Sequence, residues 1–175
     1  MPRRINIFGG GAQTNHYGLQ FEQSTSLNDA LKNNGFEIKN GYEVYFDDKF
    51  LGLSINKVKF STIFLQNNGI NYSDYNSKRW DPDEAFINER NKTVYIIEKK
   101  FQHSSGSVDE KLATFLFKKY EYGKLVCPIG YSVQYIYLLS SEWFTQSKYD
   151  DYYAFMNMYD CPYYFDYLPL DAIGL

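Results

Sequence analysis

Glu98, Lys100 and Gln102 occupy alternate positions in the run Thr-Val-Tyr-Ile-Ile-Glu-Lys-Lys-Phe-Gln (93–102), and Asp83 stands shortly before it in Trp-Asp-Pro-Asp-Glu-Ala-Phe-Ile-Asn (80–88). In a strand, residues i and i+2 share a face, with Cα atoms roughly 6.5–7 Å apart. The three polar side chains therefore line one edge of an otherwise apolar strand. A hard divalent cation suits such a set: carboxylates at Asp83 and Glu98 hold Mg²⁺, which keeps several waters and favours phosphate oxygens. The ion acidifies a water and neutralises charge that grows on a phosphorus centre. Lys100, close to that charge, orients the attacking water.

Pro82-Asp83, a spacer of fourteen residues and Glu98-x-Lys100 resemble the signature of the PD-(D/E)xK nuclease superfamily, and Gln102 extends it to the Glu-x-Lys-x-Gln variant. The resemblance implies an α/β (α+β) restriction-endonuclease-like core: a central mixed β-sheet flanked by helices, in the order α-β-β-β-α-β. It implies Mg²⁺ dependence, with Mn²⁺ as a substitute, and hydrolysis of double-stranded DNA to 5′-phosphate and 3′-hydroxyl ends. Asp83 and Glu98 would be metal ligands, Lys100 would position the water, and Gln102 would support the site or touch the backbone. Gly18-Leu19-Gln20-Phe21-Glu22 resembles the first-helix element that carries a glutamate to the metal, which makes Glu22 an outer ligand. The same position also suits a solvated helix charge. The nearest reading is a small type II restriction endonuclease acting as a homodimer, since cleaving both strands of a symmetric site calls for two-fold symmetry. The alternatives are a structure-specific or repair nuclease, and a non-catalytic nucleic-acid or protein-binding module.

Elements to position these residues can be read from pattern. Ala85 to Asn88 predicts a strand, Glu89 to Lys92 a polar turn, and Thr93 to Phe101 a second strand rich in β-branched and aromatic residues. Ser104-Ser105-Gly106 ends it, and Ser107-Val108-Asp109-Glu110 has capping-box form. The helix behind that cap places Leu112, Phe115, Leu116 and Tyr120 at helical spacing, with Lys111, Lys118 and Lys119 mainly on other faces, and Tyr131 to Leu139 alternates as a strand. Upstream, Asn15 to Asn34 predicts one helix, stopped by Asn33-Asn34-Gly35. Short β-like runs follow at 36–38, 42–46, 51–55 and 60–65, with a hairpin turn at Asp47-Asp48-Lys49. One of these runs belongs to the core sheet, and the rest read as a β insertion within 36–78. Residues 66–77 predict a surface loop.

At 175 residues with 19% aromatics, including 18 tyrosines, the chain reads as one globular domain spanning 1–175. It has neither a secretory leader pattern nor an apolar run near eighteen residues, so the expected location is the cytoplasm, with no membrane partner. Cys127 and Cys161 show no metal spacing and read as reduced core thiols. The net charge of −3 is unevenly spread: residues 1–124 hold 17 basic against 15 acidic side chains, and 125–175 hold only Lys148 against six acids. The basic middle, with Lys78, Arg79, Arg90, Lys92, Lys99, Lys118, Lys119 and Lys124, is the part able to meet phosphates around the site. The tyrosine-dense segment within 140–175 is interleaved with acids, which favours core packing or a dimer interface over stacking on bases. Phe8-Gly9-Gly10-Gly11 lacks the Gly-Lys-Ser/Thr of a phosphate loop and reads as a lead-in to the first helix. Of the two histidines, His16 and His103, only His103 falls near the motif.

Overall fold

The strand Thr93–Lys100 is buried from Val94 to Lys99, on both faces, because helices cover the sheet on each side. The computed structural model describes residues 10–102 and 108–175, with side chains from 17 to 102 and from 110 to 175. In chain order the elements are α1 (Gly10–Ser24), α2 (Leu27–Asn33), β1 (Glu37–Lys39), β2 (Glu43–Phe46), β3 (Lys49–Ile55), β4 (Glu84–Asn88), β5 (Thr93–Lys100), α3 (Val108–Leu112), α4 (Phe115–Val126), β6 (Ser132–Leu139), α5 (Ser141–Phe144), α6 (Asp150–Met158) and β7 (Tyr163–Phe165). This is an α/β protein with a seven-stranded mixed sheet in sequential order β1 to β7. β1 to β5 form an antiparallel meander, and β5, β6 and β7 run parallel to one another. Each parallel step needs a crossover, supplied by α3 and α4 and then by α6.

Two cores result. One face packs Val94, Ile96, Tyr135 and Tyr137 against Phe115, Tyr122 and Leu125 of α4 and against Phe60 and Phe64. The other packs Phe86, Ile97, Ile136 and Leu138 against Leu27 and Leu31 of α2 and the C-terminal Leu168 and Ile173. Each such fully buried side chain contributes about 1.5–3 kcal/mol. The β4–β5 turn is fixed by Asn88, whose Oδ1 accepts from the Arg90 and Asn91 amides while its Nδ2 donates to the Ile173 carbonyl. Asp47 and Asp48 both take positive φ, the geometry of a tight hairpin turn.

Several local expectations are corrected. The single helix from Asn15 to Asn34 is two: Thr25 turns its hydroxyl back to the Phe21 carbonyl, and Ser26 caps α2 by accepting from the Asp29 amide. Such side chains compete with the helix backbone and favour caps. The run 60–65 is not a strand but a π-helical turn, Phe60–Leu65. Phe60 and Phe64, four apart, both bury edge-on against Tyr122 and Tyr131, so packing overrides β propensity there. β1, β2 and β3 all extend the main sheet beyond β4 instead of forming a separate insertion. The helix after the capping motif breaks at Thr114, which bonds back to the Lys111 carbonyl. Tyr120 is exposed, and Tyr122 takes the core position.

In the C-terminal segment Tyr149, Met156 and Cys161 are buried, whereas Met158 and Tyr167 are exposed. Cys127 is exposed, so only Cys161 is a core thiol. Residues 66–77 include a 3₁₀ turn at Tyr72–Asp74 and a buried Asn76 that donates to the Glu121 carbonyl. Gly10 and Gly11 lie within α1. His103 and the Ser107 cap fall outside the described residues. Among those residues, no helix is long and apolar enough to cross a membrane.

Candidate functional site

β4 and β5 pair with Glu84 opposite Ile97, so Asp83, one residue earlier, stands across from Glu98. Directly opposed residues of an antiparallel pair share a face, with Cβ atoms about 4.5–5.5 Å apart. Asp83 is held there by its Oδ2, which accepts the Lys99 backbone N–H at 2.8 Å. Pro82 just before it is tied in as well, its carbonyl accepting from the Lys57 amide. Glu98 is buried, and its Oε1 accepts from two ammonium groups, Lys100 Nζ at 2.6 Å and Lys118 Nζ at 2.7 Å. Lys100 also donates to the Lys99 carbonyl at 3.3 Å.

The two carboxylates are driven apart electrostatically. Burial pushes the Asp83 carboxyl above its ordinary value of 3.8, and the Glu98 charge adds to the rise. The Lys100 ammonium and the Lys99 N–H offset part of it, and Glu22 pushes weakly upward. For Glu98, burial also acts upward, but the Lys100 and Lys118 ammoniums outweigh it and hold the group below its ordinary value. Glu98 is therefore the more readily ionised of the two, and Asp83 the less readily ionised.

Glu22, from α1, approaches Asp83 from the Glu84 and Lys99 side, in a cleft that Glu98 and Lys100 do not line. It lines this cleft, of about 320 Å³, together with Leu19, Lys57, Asp83, Glu84 and Lys99. Its carboxylate pairs with Lys57 at 3.2 Å, so it borders Asp83 without sharing that residue's hydrogen bonds. Gln102 is buried just past the strand end. Phe101 beside it packs against Phe21 and Tyr17, with ring centroids 5.9 and 6.4 Å away, which seats α1 over the end of β5.

Two lysines that the sequence offers only as general phosphate contacts take defined places here. Lys99 points to the opposite face, where its ammonium meets Glu84 at 2.8 Å and the Thr25 and Glu22 carbonyls at 2.8 and 3.1 Å. It fastens the end of α1 to the sheet. Lys118 comes from α4, where Phe115, Lys118 and Tyr122 follow i, i+3, i+7 spacing and share the buried face. The apolar pattern puts Lys118 on another face of this helix, and the structure corrects that: its spacing from Phe115 and Tyr122, the signal present in the sequence, turns it inward to Glu98. Lys118 Nζ also lies 5.6 Å from the centre of the Trp80 ring, over which Lys78 stands at 4.2 Å.

Among the described residues, no group of three His, Cys, Asp or Glu side chains lies close enough to hold a metal. The donor set at the strand pair is two carboxylates, with Glu22 across the cleft. Oxygen donors of this kind fit a hard cation, and Mg²⁺ is commonly held by one or two carboxylates while keeping its waters. A cation between the two carboxylates would relieve the part of the Asp83 rise that comes from the Glu98 charge, while burial, the larger cause, would remain. Comparison with protein-family models, with curated proteins and with solved structures gave no match to this chain.

Proposed function

We propose that this protein is a divalent-metal-dependent DNA endonuclease of the PD-(D/E)xK type. The observation that carries this reading is the set Asp83, Glu98 and Lys100, brought together on one face at the end of two paired strands. The order α2, β3, β4, β5, α4, β6, with the last two strands parallel, agrees with the restriction-endonuclease-like core that the motif implies. Asp83 and Glu98 would hold Mg²⁺ (Mn²⁺ as substitute), with Glu22 as an outer contact, and Mg²⁺ bound there supplies an acidified water and charge neutralisation at phosphorus. Lys100 orients the attacking water and stabilises the phosphorus charge, while Gln102 packs the strand end on which both stand. The water oxygen bonds to phosphorus and the P–O3′ bond breaks. One water proton passes to solvent, and the 3′ oxygen takes one up.

A type II restriction enzyme working as a homodimer on double-stranded DNA is the leading form of this reading. The exposed Phe117 and Tyr120 of α4, with Phe117 edge-on to Trp80, favour a second form. Exposed aromatics beside lysines stack well on unpaired bases, as a structure-specific or repair nuclease requires.

The test is incubation of unmethylated plasmid and phage DNA with Mg²⁺, beside EDTA and Lys100→Ala controls. Discrete fragments lost in both controls support the restriction enzyme. Cleavage confined to branched or flapped substrates supports the second form. No cleavage of duplex, branched or single-stranded DNA with either Mg²⁺ or Mn²⁺ would leave a non-catalytic binding module.

A further inference from the structure

Lys100 and Lys118 both donate to one oxygen, Glu98 Oε1, at 2.6 and 2.7 Å, yet they come from different elements and differ in what else holds them. Lys100 sits two residues along the same strand and is also bonded to the Lys99 carbonyl, so it is fixed by β5 itself. Lys118 reaches across from α4 on a four-carbon stem, and its ammonium lies toward the Trp80 ring, at the side where Lys78 also stands.

We propose that Lys118 is a second catalytic cation of this site, which leaves Glu98 for the scissile phosphodiester when a divalent cation takes up the carboxylate. This rests on the nuclease reading above. Two ammonium groups already surround Glu98 Oε1, so a divalent cation at the same oxygen meets repulsion from both. One lysine must yield. Lys118 is the one with a flexible route outward, along the Trp80 face toward Lys78, where a phosphate oxygen takes the place of Glu98 as its acceptor. The exchange keeps the ammonium hydrogen-bonded in both states, and it couples cation entry to phosphate binding. Lys118 retains its proton throughout. It donates a hydrogen bond to a phosphate oxygen as the water oxygen bonds to phosphorus and the P–O3′ bond breaks.

A lysine that only pairs with Glu98 would hinder the metal and nothing more, whereas one that moves on to the phosphate hinders the metal and speeds cleavage, so the two readouts move in opposite directions. Titration calorimetry with MnCl₂ is run on the wild type, Lys118→Gln and Lys118→Arg, beside Mg²⁺-dependent plasmid cleavage. Lys118→Gln is expected to bind Mn²⁺ roughly tenfold more tightly, because a competing charge is gone, and to cleave at least about 100-fold more slowly. Lys118→Arg keeps the charge and stays within about threefold of wild-type Mn²⁺ affinity. If Lys118→Gln loses its fold by circular dichroism, the same two readouts are taken on Lys118→Met, which fills similar space without charge. Unchanged or weaker Mn²⁺ binding by the neutral variant, or unchanged cleavage, overturns the role of Lys118 and leaves the nuclease reading standing. A wild type that neither binds Mn²⁺ nor cleaves DNA overturns both.

Discussion

Lys99 and Glu84 form an ion pair at 2.8 Å on the opposite side of the sheet from Glu98 and Lys100, with the Lys99 side chain 3% exposed. Neighbouring lysines of one strand thus serve different purposes. Lys99 closes the join between α1, α2 and β4, since Glu84 also accepts the Leu27 amide at the start of α2. Lys99→Ala strands a buried carboxylate and is expected to cost about 3–5 kcal/mol of stability, measured by urea unfolding. Lys100→Ala leaves Glu98 paired with Lys118 and is expected to cost far less. Equal losses at the two positions would refute this division.

Asp83 gives a pH signature. Burial, then the Glu98 charge, raises its carboxyl above 3.8 in the folded protein. From that value up to the raised one, the folded state keeps a proton that the unfolded chain has lost. Stability attributable to Asp83 therefore falls as pH rises through this window and stays low above it. Asp83→Asn retains an acceptor for the Lys99 N–H and removes the penalty. In metal-free buffer the variant should unfold at higher temperature than wild type at neutral pH, with the advantage vanishing below about pH 3.8. Glu84 is also raised, chiefly by burial, with a smaller push from the Asp83 charge, so Asp83→Asn relieves that push too and the effect has the same sign. A variant less stable than wild type at pH 7 would show that Asp83 is a structural acceptor first.

For the proposed hydrolysis, Glu98→Gln and Lys100→Ala are expected to lower single-turnover cleavage at least about 100-fold. Glu22→Gln should lower it by no more than about tenfold, because its carboxylate pairs with Lys57 and borders the cleft. A Glu22 variant as inactive as Glu98→Gln would make it a full member of the site.

Gly52 tests the sheet that carries the site. Its φ is +155°, and a Cβ there would stand 1.9 Å from the Ile87 carbonyl oxygen of the neighbouring strand. Gly52→Ala must force β3 and β4 apart and should cost more than about 2 kcal/mol in chemical denaturation. A thermal midpoint unchanged from wild type would contradict that close approach.

The central part of the candidate site was legible in the chain because it is local. The alternation of Glu98 and Lys100, the apolar Val94 to Ile97 and the polar turn at 89–92 are consequences of two-residue periodicity, and the strands lie where the pattern set them, save that β5 ends at Lys100, before Phe101 and Gln102. The hairpin register that brings Asp83 opposite Glu98 follows from the short turn between them. The rest depended on packing. Only the docking of α4 on the sheet delivers Lys118 to Glu98, and only the seating of α1 and α2 gives Lys99 its buried partners. The turn at 60–65 is helical because two phenylalanines four residues apart found Tyr122 and Tyr131, against their own β preference. Strand periodicity is written residue by residue, so the strand pair and the chemistry of its side chains follow from the order of residues alone. Tertiary structure alone decided which distant lysine shares Glu98 and which faces away, since those contacts are made between elements and are set by which surfaces bury the most apolar area.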